Sequence, residues 1–264
     1  MQFWKAHAYG NDFLYARTTD VEAADGSILA QRMCARHTGV GADGLILFDA
    51  AVQPATMRLI NADGSDAEVS GNGVRALAAL LSRLEDRTAL GSVFEIATAA
   101  GLKTLTLVEH DEYQRPVFRA AMGQPERIQR VDVDVRGEVL PLVTLWMGNP
   151  QAVWLVDELD DEDMQRVGAA LQRHPAFPQA TNLELARVAS PALVEILIYE
   201  RGVGPTLSSG TGSCAAAVAA ASFGGASRTV DVMSPGGSQR VEWLDEGVFL
   251  TGWADLVLEG HWIG

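Results

Sequence analysis

The chain has 264 residues, 48% of them hydrophobic and 20% charged. That length supports one large domain or two smaller ones, each with its own core, and the composition is that of a globular protein rather than a disordered or membrane chain. With 20 Lys and Arg against 34 Asp and Glu the formal charge is −14. An acidic surface repels phosphate backbones and no basic stripe with interleaved aromatics occurs, so no nucleic acid partner is expected. No apolar run approaches the ~18 residues that span a bilayer, so no membrane role is expected either.

In chain order, MQFWKAHAYGNDF (1–13) lacks the charged start, apolar centre and cleavage site of a secretory signal, which points to a cytoplasmic protein. Only Cys34 and Cys214 carry thiols, far apart in sequence, and both read as buried and unbridged. Gly39–Gly44 satisfies the G-x-G-x-x-G pattern, but a dinucleotide site needs a strand before it and a helix after it. Here Leu45–Phe48 follows and predicts a strand, as do 104–108, 193–198 and 248–250. After SGNG, Val74, Leu77, Ala78, Leu81 and Leu84 fall at helical spacing. After SSGTGS, 214–221 is apolar all round, the mark of a helix buried on every side.

Three pairs of motifs recur in the same order at nearly one offset. Gly10-Asn11 returns as Gly148-Asn149 after 138 residues, Arg36-His37 as Arg173-His174 after 137, and Ser70-Gly71-Asn72-Gly73 as Ser209-Gly210-Thr211-Gly212 after 139. Two copies of one domain related by a pseudo-two-fold axis are expected, with a site between them where equivalent loops face each other. The fold class is therefore α+β, two pseudo-symmetric domains, each a strand-rich, barrel-like sheet around one central helix. The polar stretch Asp111–Pro116 marks the joint, giving domains of 1–113 plus 254–264 and 114–253.

Each serine-glycine turn places a hydroxyl at the mouth of a buried helix, followed by glycines that let the backbone approach a ligand. Free N–H groups and the helix dipole favour an anion there. A serine is also a preferred helix cap, so either turn alone reads as structural; its duplication favours a site. Lys5 and Lys103 lie in neither turn, which removes a phosphate-binding loop. No G-x-S-x-G elbow surrounds Ser209, and the five histidines show no zinc spacing, so no metal is expected.

HAYGNDF (7–13), RHTGVGADGL (36–45), MRLINADGSDAEVSGNGVRALA (57–78), MGNP (147–150), HPAFPQATNLE (174–184), ERGVGPTLSSGTGSCAAAVAA (200–220), SPGG (234–237) and TGWADLVLEG (251–260) together resemble the diaminopimelate epimerase family. The resemblance implies a cofactor-independent isomerase that converts LL- to meso-diaminopimelate, in lysine and peptidoglycan precursor synthesis. In that family one cysteine removes the α-proton and a second protonates the opposite face, without pyridoxal phosphate or metal. The two cysteine positions are occupied here by Ser70 and Ser209. By the same correspondence Asn11, Asn61, Asn149 and Asn182 hold the distal end of a small diamino diacid, with Glu200 and Arg201 as charged partners. Gly71, Asn72, Gly210 and Thr211 bind the reacting carboxylate. Family members often pair, so a homodimer is part of the expectation.

A second departure is Gln151, where the family often has a histidine that helps to accept a proton. Cys34 and Cys214 stand where family members often have cysteines. A hydroxyl is far less acidic than a thiol and a poor base without a neighbour to take its proton. Three readings follow from the serines. One is an epimerase whose two cysteines have been exchanged and whose turnover is weakened or lost. The second is a natural relative acting on another amino or hydroxy acid. The third is an amino-acid-binding protein that kept the cleft without the bases.

Overall fold

The computed structural model of the chain describes residues 1–21, 26–67 and 69–264. Gln2–Ala8 (β1) and Asn11–Arg17 (β2) form a hairpin, because Tyr9 (φ 56°) and Gly10 (φ 85°) supply two consecutive left-handed residues, as a two-residue hairpin turn requires. Helix α1 (Gly26–Cys34) carries the chain back to Gly44–Asp49 (β3), which runs parallel to β2. Ala55–Asn61 (β4) and the short Asp66–Ala67 (β5) follow, and then helix α2 (Gly71–Leu84). Val93–Thr98 (β6) lies parallel to β4, and Gly101–His110 (β7) and Pro116–Gly123 (β8) extend the meander.

The same sequence of elements then repeats. Glu126–Val135 (β9) pairs with Glu138–Trp146 (β10), which forms a hairpin with Pro150–Leu155 (β11). Helix α3 (Asp161–Leu171) leads to Asn182–Ser190 (β12), parallel to β11. Leu193–Glu200 (β13), Gly204–Thr206 (β14) and helix α4 (Gly210–Ala219) come next. Thr229–Ser234 (β15) is parallel to β13, and Gly237–Leu244 (β16) and Gly247–Trp253 (β17) complete the second meander. Asp255–His261 (β18) returns to pair with β1, as β9 pairs with β10.

By contacts the chain divides into two compact units, residues 1–120 with 252–264 and residues 121–251. The polar turn predicted as the joint does link β7 to β8. The strand that leaves it, however, pairs with β7 as far as Ala120, which keeps 114–120 with the first unit. Trp253 likewise stacks on Tyr9 at 4.3 Å, inside that unit.

Strands covered by a helix on each side, such as β2, β3 and the first half of β12, are buried on both faces and read as continuous apolar runs. In β3, Ile46 and Phe48 face inward with Phe13, Tyr15 and the apolar side of α2, while Leu45 and Leu47 face outward against Ala30, Met33 and Cys34 of α1. Helix α2 packs against β1, β2, β6, β7 and β18, and α4 against β10–β13, β15 and β16. Alanines along α4 let the strands approach on all sides, and every residue from Gly212 to Ala220 is buried. The expectation of one helix per half finds α2 and α4 but not α1 and α3. These two are short, and each buries four residues, Gly26, Ala30, Met33 and Cys34 in one and Met164, Val167, Gly168 and Leu171 in the other. Neither cysteine is in a disulfide and both are buried.

Candidate active site

Both serines cap their helices, and they do so in the same way. Ser70, in extended backbone (φ −121°, ψ 123°), accepts from the Gly73 N–H at 3.1 Å; Ser209 (φ −137°, ψ 126°) accepts from the Gly212 N–H at 3.2 Å. Each thus stands where the first free N–H groups of a buried helix collect, an arrangement suited to a carboxylate.

In the first unit the turn is held by Asn11. Its Oδ1 accepts from Ser70 Oγ and from Asn72 Nδ2, both at 3.4 Å, while its Nδ2 donates to Asp43 Oδ2 at 2.7 Å. Asn72 is buried, and its Oδ1 accepts from the buried Arg75 guanidinium, one turn further into α2, at 3.1 Å. Asn11, Ser70, Gly71 and Asn72 are therefore brought together. Asn61 ends β4 and donates to Ser65 Oγ at 3.0 Å, with no hydrogen bond to that group.

Asp43 and Asp12 anchor Asn11. Arg36 bonds Asp43 at 2.7 Å and Asp12 at 3.0 Å, and Lys5 pairs with Asp12 at 2.9 Å. Burial pushes Asp12 upward, but hydrogen bonds from Lys5 and Arg36 outweigh it and hold the carboxyl below its ordinary value. A depressed carboxyl contributes stability that is present above its unfolded value and lost as pH falls through the folded one. Asp12→Asn is therefore expected to cost stability at neutral pH, and progressively less as pH falls below the ordinary carboxyl range and through the lowered folded value. Urea titrations across that range check it, and an equal loss at both ends would contradict it.

In the second unit Asn149 and Asn182 sit beside Thr211. Asn149 Nδ2 lies 3.5 Å from Thr211 Oγ1, Asn182 Nδ2 donates to the Pro150 carbonyl at 3.2 Å, and Asn182 Oδ1 accepts from the Arg201 N–H at 2.8 Å. Glu200 ends β13, and the exposed Arg201 reaches the Gln179 carbonyl at 3.3 Å. Gln151 and Glu184 are both buried among these residues, and Glu184 was not singled out from the sequence. Asp43 and Arg75 were missed as well, since charged residues next to glycines or inside a helix carry no distinctive spacing.

The thiols are not substitutes for the serines. Burial, with Asp12 and Asp43 adding to it, pushes the Cys34 thiol up to about 12, and Cys214 lies inside α4 with no exposed surface. Both are expected to resist iodoacetamide in the folded protein near neutral pH and to react fully in denaturant. Mass spectrometry checks this, and rapid native labelling of Cys34 would contradict it. Among the described residues no group of three or more His, Cys, Asp or Glu is placed to hold a metal ion, and no helix is long and apolar enough to cross a membrane.

The family model described as diaminopimelate epimerase matches residues 3–128 and 143–257. The chain belongs to the diaminopimelate epimerase family. It is 38% identical to the diaminopimelate epimerase of Desulforudis audaxviator, over all of this chain and 99% of that one. Identity to the enzyme of Desulfitobacterium hafniense is 35%, over 98% and 97% of the two chains. Among solved structures, a phenazine biosynthesis protein of the PhzF family from Bacillus anthracis shares the fold (TM-score 0.76, 13% identity, 98% of each chain). So does a hydroxyproline epimerase from Agrobacterium vitis (TM-score 0.66, 15% identity, 98% and 90%). Membership makes the protein part of an isomerase family.

Proposed function

We propose that the chain binds diaminopimelate and that Ser70 and Ser209 stand at the two acid/base positions of a two-base, cofactor-independent inversion. The observation that carries this is the equivalence of the two turns. Each is a serine N-cap at the same step of the repeat, with glycines after it and a buried helix behind it, in a chain of this family. A carbanion forming beside a carboxylate needs fixed donors where charge develops, and two helix ends provide them. In this reading Gly71, Asn72, Gly210 and Thr211 take the reacting carboxylate. Asn11, Asn61, Asn149 and Asn182 position the rest of the substrate, Glu200 pairs with an ammonium group and Arg201 with a carboxylate.

Serine preserves the shape of the site but not its acidity. Binding is therefore expected to survive, with turnover weak, because proton transfer is efficient only when the donor's pKa lies near the working pH. The second reading, an amino-acid-binding protein, is favoured by one observation: both hydroxyls are engaged as caps, so neither is a base on its own. Deuterium uptake at the α-carbon of LL- and meso-diaminopimelate in heavy water separates the two. Exchange by the chain as it stands supports catalysis, whereas binding without exchange, in this form and with cysteines restored, supports the binding protein. Absence of binding would falsify the substrate assignment. A cytoplasmic homodimer belongs to the same reading, and sedimentation at two concentrations tests the dimer.

A further inference from the structure

The strand registers of the two copies match at a constant offset, and the match exposes an asymmetry. In the parallel pair β2–β3, Phe13 lies opposite Gly44; in β11–β12, Gln151 lies opposite Asn182, each 138 residues on. At that offset the inward-facing Ile46 corresponds to Glu184. A β-carbon on Gly73, at the mouth of α2, would come 2.9 Å from Ile46 Cδ1; one on Gly212, at the mouth of α4, would come 2.5 Å from Glu184 Oε1. One helix mouth is therefore backed by the apolar pair Phe13 and Ile46 and the other by Gln151 and Glu184, with all four side chains buried. A buried carboxyl where the sister unit packs isoleucine is costly unless its hydrogen bonds are put to use.

We propose that Gln151 and Glu184 are a positioning pair that sets Asn149, Asn182 and Thr211 at the mouth of α4. The proposal rests on the reading of those three residues as substrate contacts. With its amide nitrogen toward Glu184, Gln151 donates to Oε1 at 3.0 Å and Oε2 at 3.2 Å, and its oxygen accepts from Asn182 Nδ2 and Thr211 Oγ1, both at 3.1 Å. With the amide turned over, its nitrogen donates to Asn149 Oδ1 at 2.6 Å. The amide oxygen then faces the carboxyl, a contact that is bonded only when Glu184 carries a proton. The proton on Glu184 thus selects which neighbours Gln151 holds.

The groups around Glu184 determine that proton. Burial, and then the charge of Glu200 on β13, push its carboxyl well above the ordinary value. Gln151 on β11 is neutral, and the α4 N-terminus, whose dipole favours the carboxylate, opposes the shift without overcoming it. The proton is thereby favoured on Glu184, and with it the orientation in which Gln151 holds Asn149.

The test follows the side-chain amides of glutamine and asparagine by NMR in the full chain. Hydrogen exchange of the Gln151 amide is expected to be slow and to stay within about twofold in Glu184→Gln, which is neutral and can donate the same bond. In Glu184→Ala it is expected to quicken at least about tenfold, together with Asn149. Glu184→Gln behaving like Glu184→Ala, or Glu184→Ala leaving Gln151 unchanged, overturns the proposal. Should Glu184→Ala not fold, Gln151→Met keeps the volume and removes the amide. Asn149 exchange is then expected to rise about tenfold, and unchanged exchange overturns the pair. Calorimetry with meso-diaminopimelate is expected to show about tenfold weaker binding in Gln151→Met. If the parent chain binds none, the substrate reading fails, while the amide data judge the pair on their own.

Discussion

Replacing Ser70 and Ser209 together by cysteine is expected to raise α-proton exchange in diaminopimelate by at least about a thousandfold, within the range of a positioned acid or base. Each thiol would stand at a helix N-terminus, where free N–H groups and the dipole lower a cysteine pKa toward neutrality. A serine hydroxyl in the same place has no such reach, and among the described residues neither Ser70 nor Ser209 hydrogen-bonds a carboxylate or imidazole that could take its proton. A thousandfold is about 4 kcal/mol of barrier. Each single replacement is expected to recover under about a tenth of the gain, because groups that act as a unit are not additive. Losing the hydroxyl cap costs about 1 kcal/mol at each helix, so the double variant is expected to be slightly less stable as it becomes faster. Exchange unchanged in the double variant, with binding intact, would remove both turns from the chemistry.

The largest expected loss of stability is at Gly39. A β-carbon there would lie 2.2 Å from the Arg32 carbonyl oxygen, 2.6 Å from that of Met33 and 3.0 Å from that of Ala35, all backbone atoms. The loop it belongs to closes the end of α1. Gly39 N–H donates to the Ala35 carbonyl at 2.8 Å, Val40 and Gly41 to Met33 at 2.8 and 3.0 Å, and Ala42 to Cys34 at 3.2 Å. These bonds satisfy carbonyls that a helix end leaves orphaned. Gly39→Ala is expected to cost about 3 kcal/mol by forcing that loop off α1. It is also expected to loosen Asp43, and with it Asn11, so diaminopimelate binding weakens too. Guanidinium unfolding reads the first effect and calorimetry the second. A loss under about 0.5 kcal/mol would show that the loop yields freely. The same bonds explain the G-x-G-x-x-G match at 39–44: its glycines cap a helix rather than approach a dinucleotide.

The duplication was legible because its landmarks are residues that backbone geometry dictates. Gly10 (φ 85°) and Gly148 (φ 82°) are left-handed just ahead of Asn11 and Asn149, and the two serines cap the inner helices. Arg36-His37 and Arg173-His174 mark the ends of α1 and α3, yet those helices went unread, since a narrow apolar face on a short polar segment gives little periodicity. Asn11 and Asn72 were found together, whereas Asp43, which holds Asn11, was not. Its role depends on a hydrogen bond to a strand 32 residues away in sequence.

By itself, then, the sequence determined the two copies, the capped inner helices, the family and the serines at the two turns, all of which follow from local backbone demands and motif order. Only the tertiary structure decided how those turns differ. Ile46 and Glu184 occupy equivalent places, and each reads as one more inward position on a strand. What separates a hydrophobic backing from a buried carboxyl is whatever the neighbouring strand and helix end place within about 3 Å, where solvent is excluded and a hydrogen bond bears on the charge.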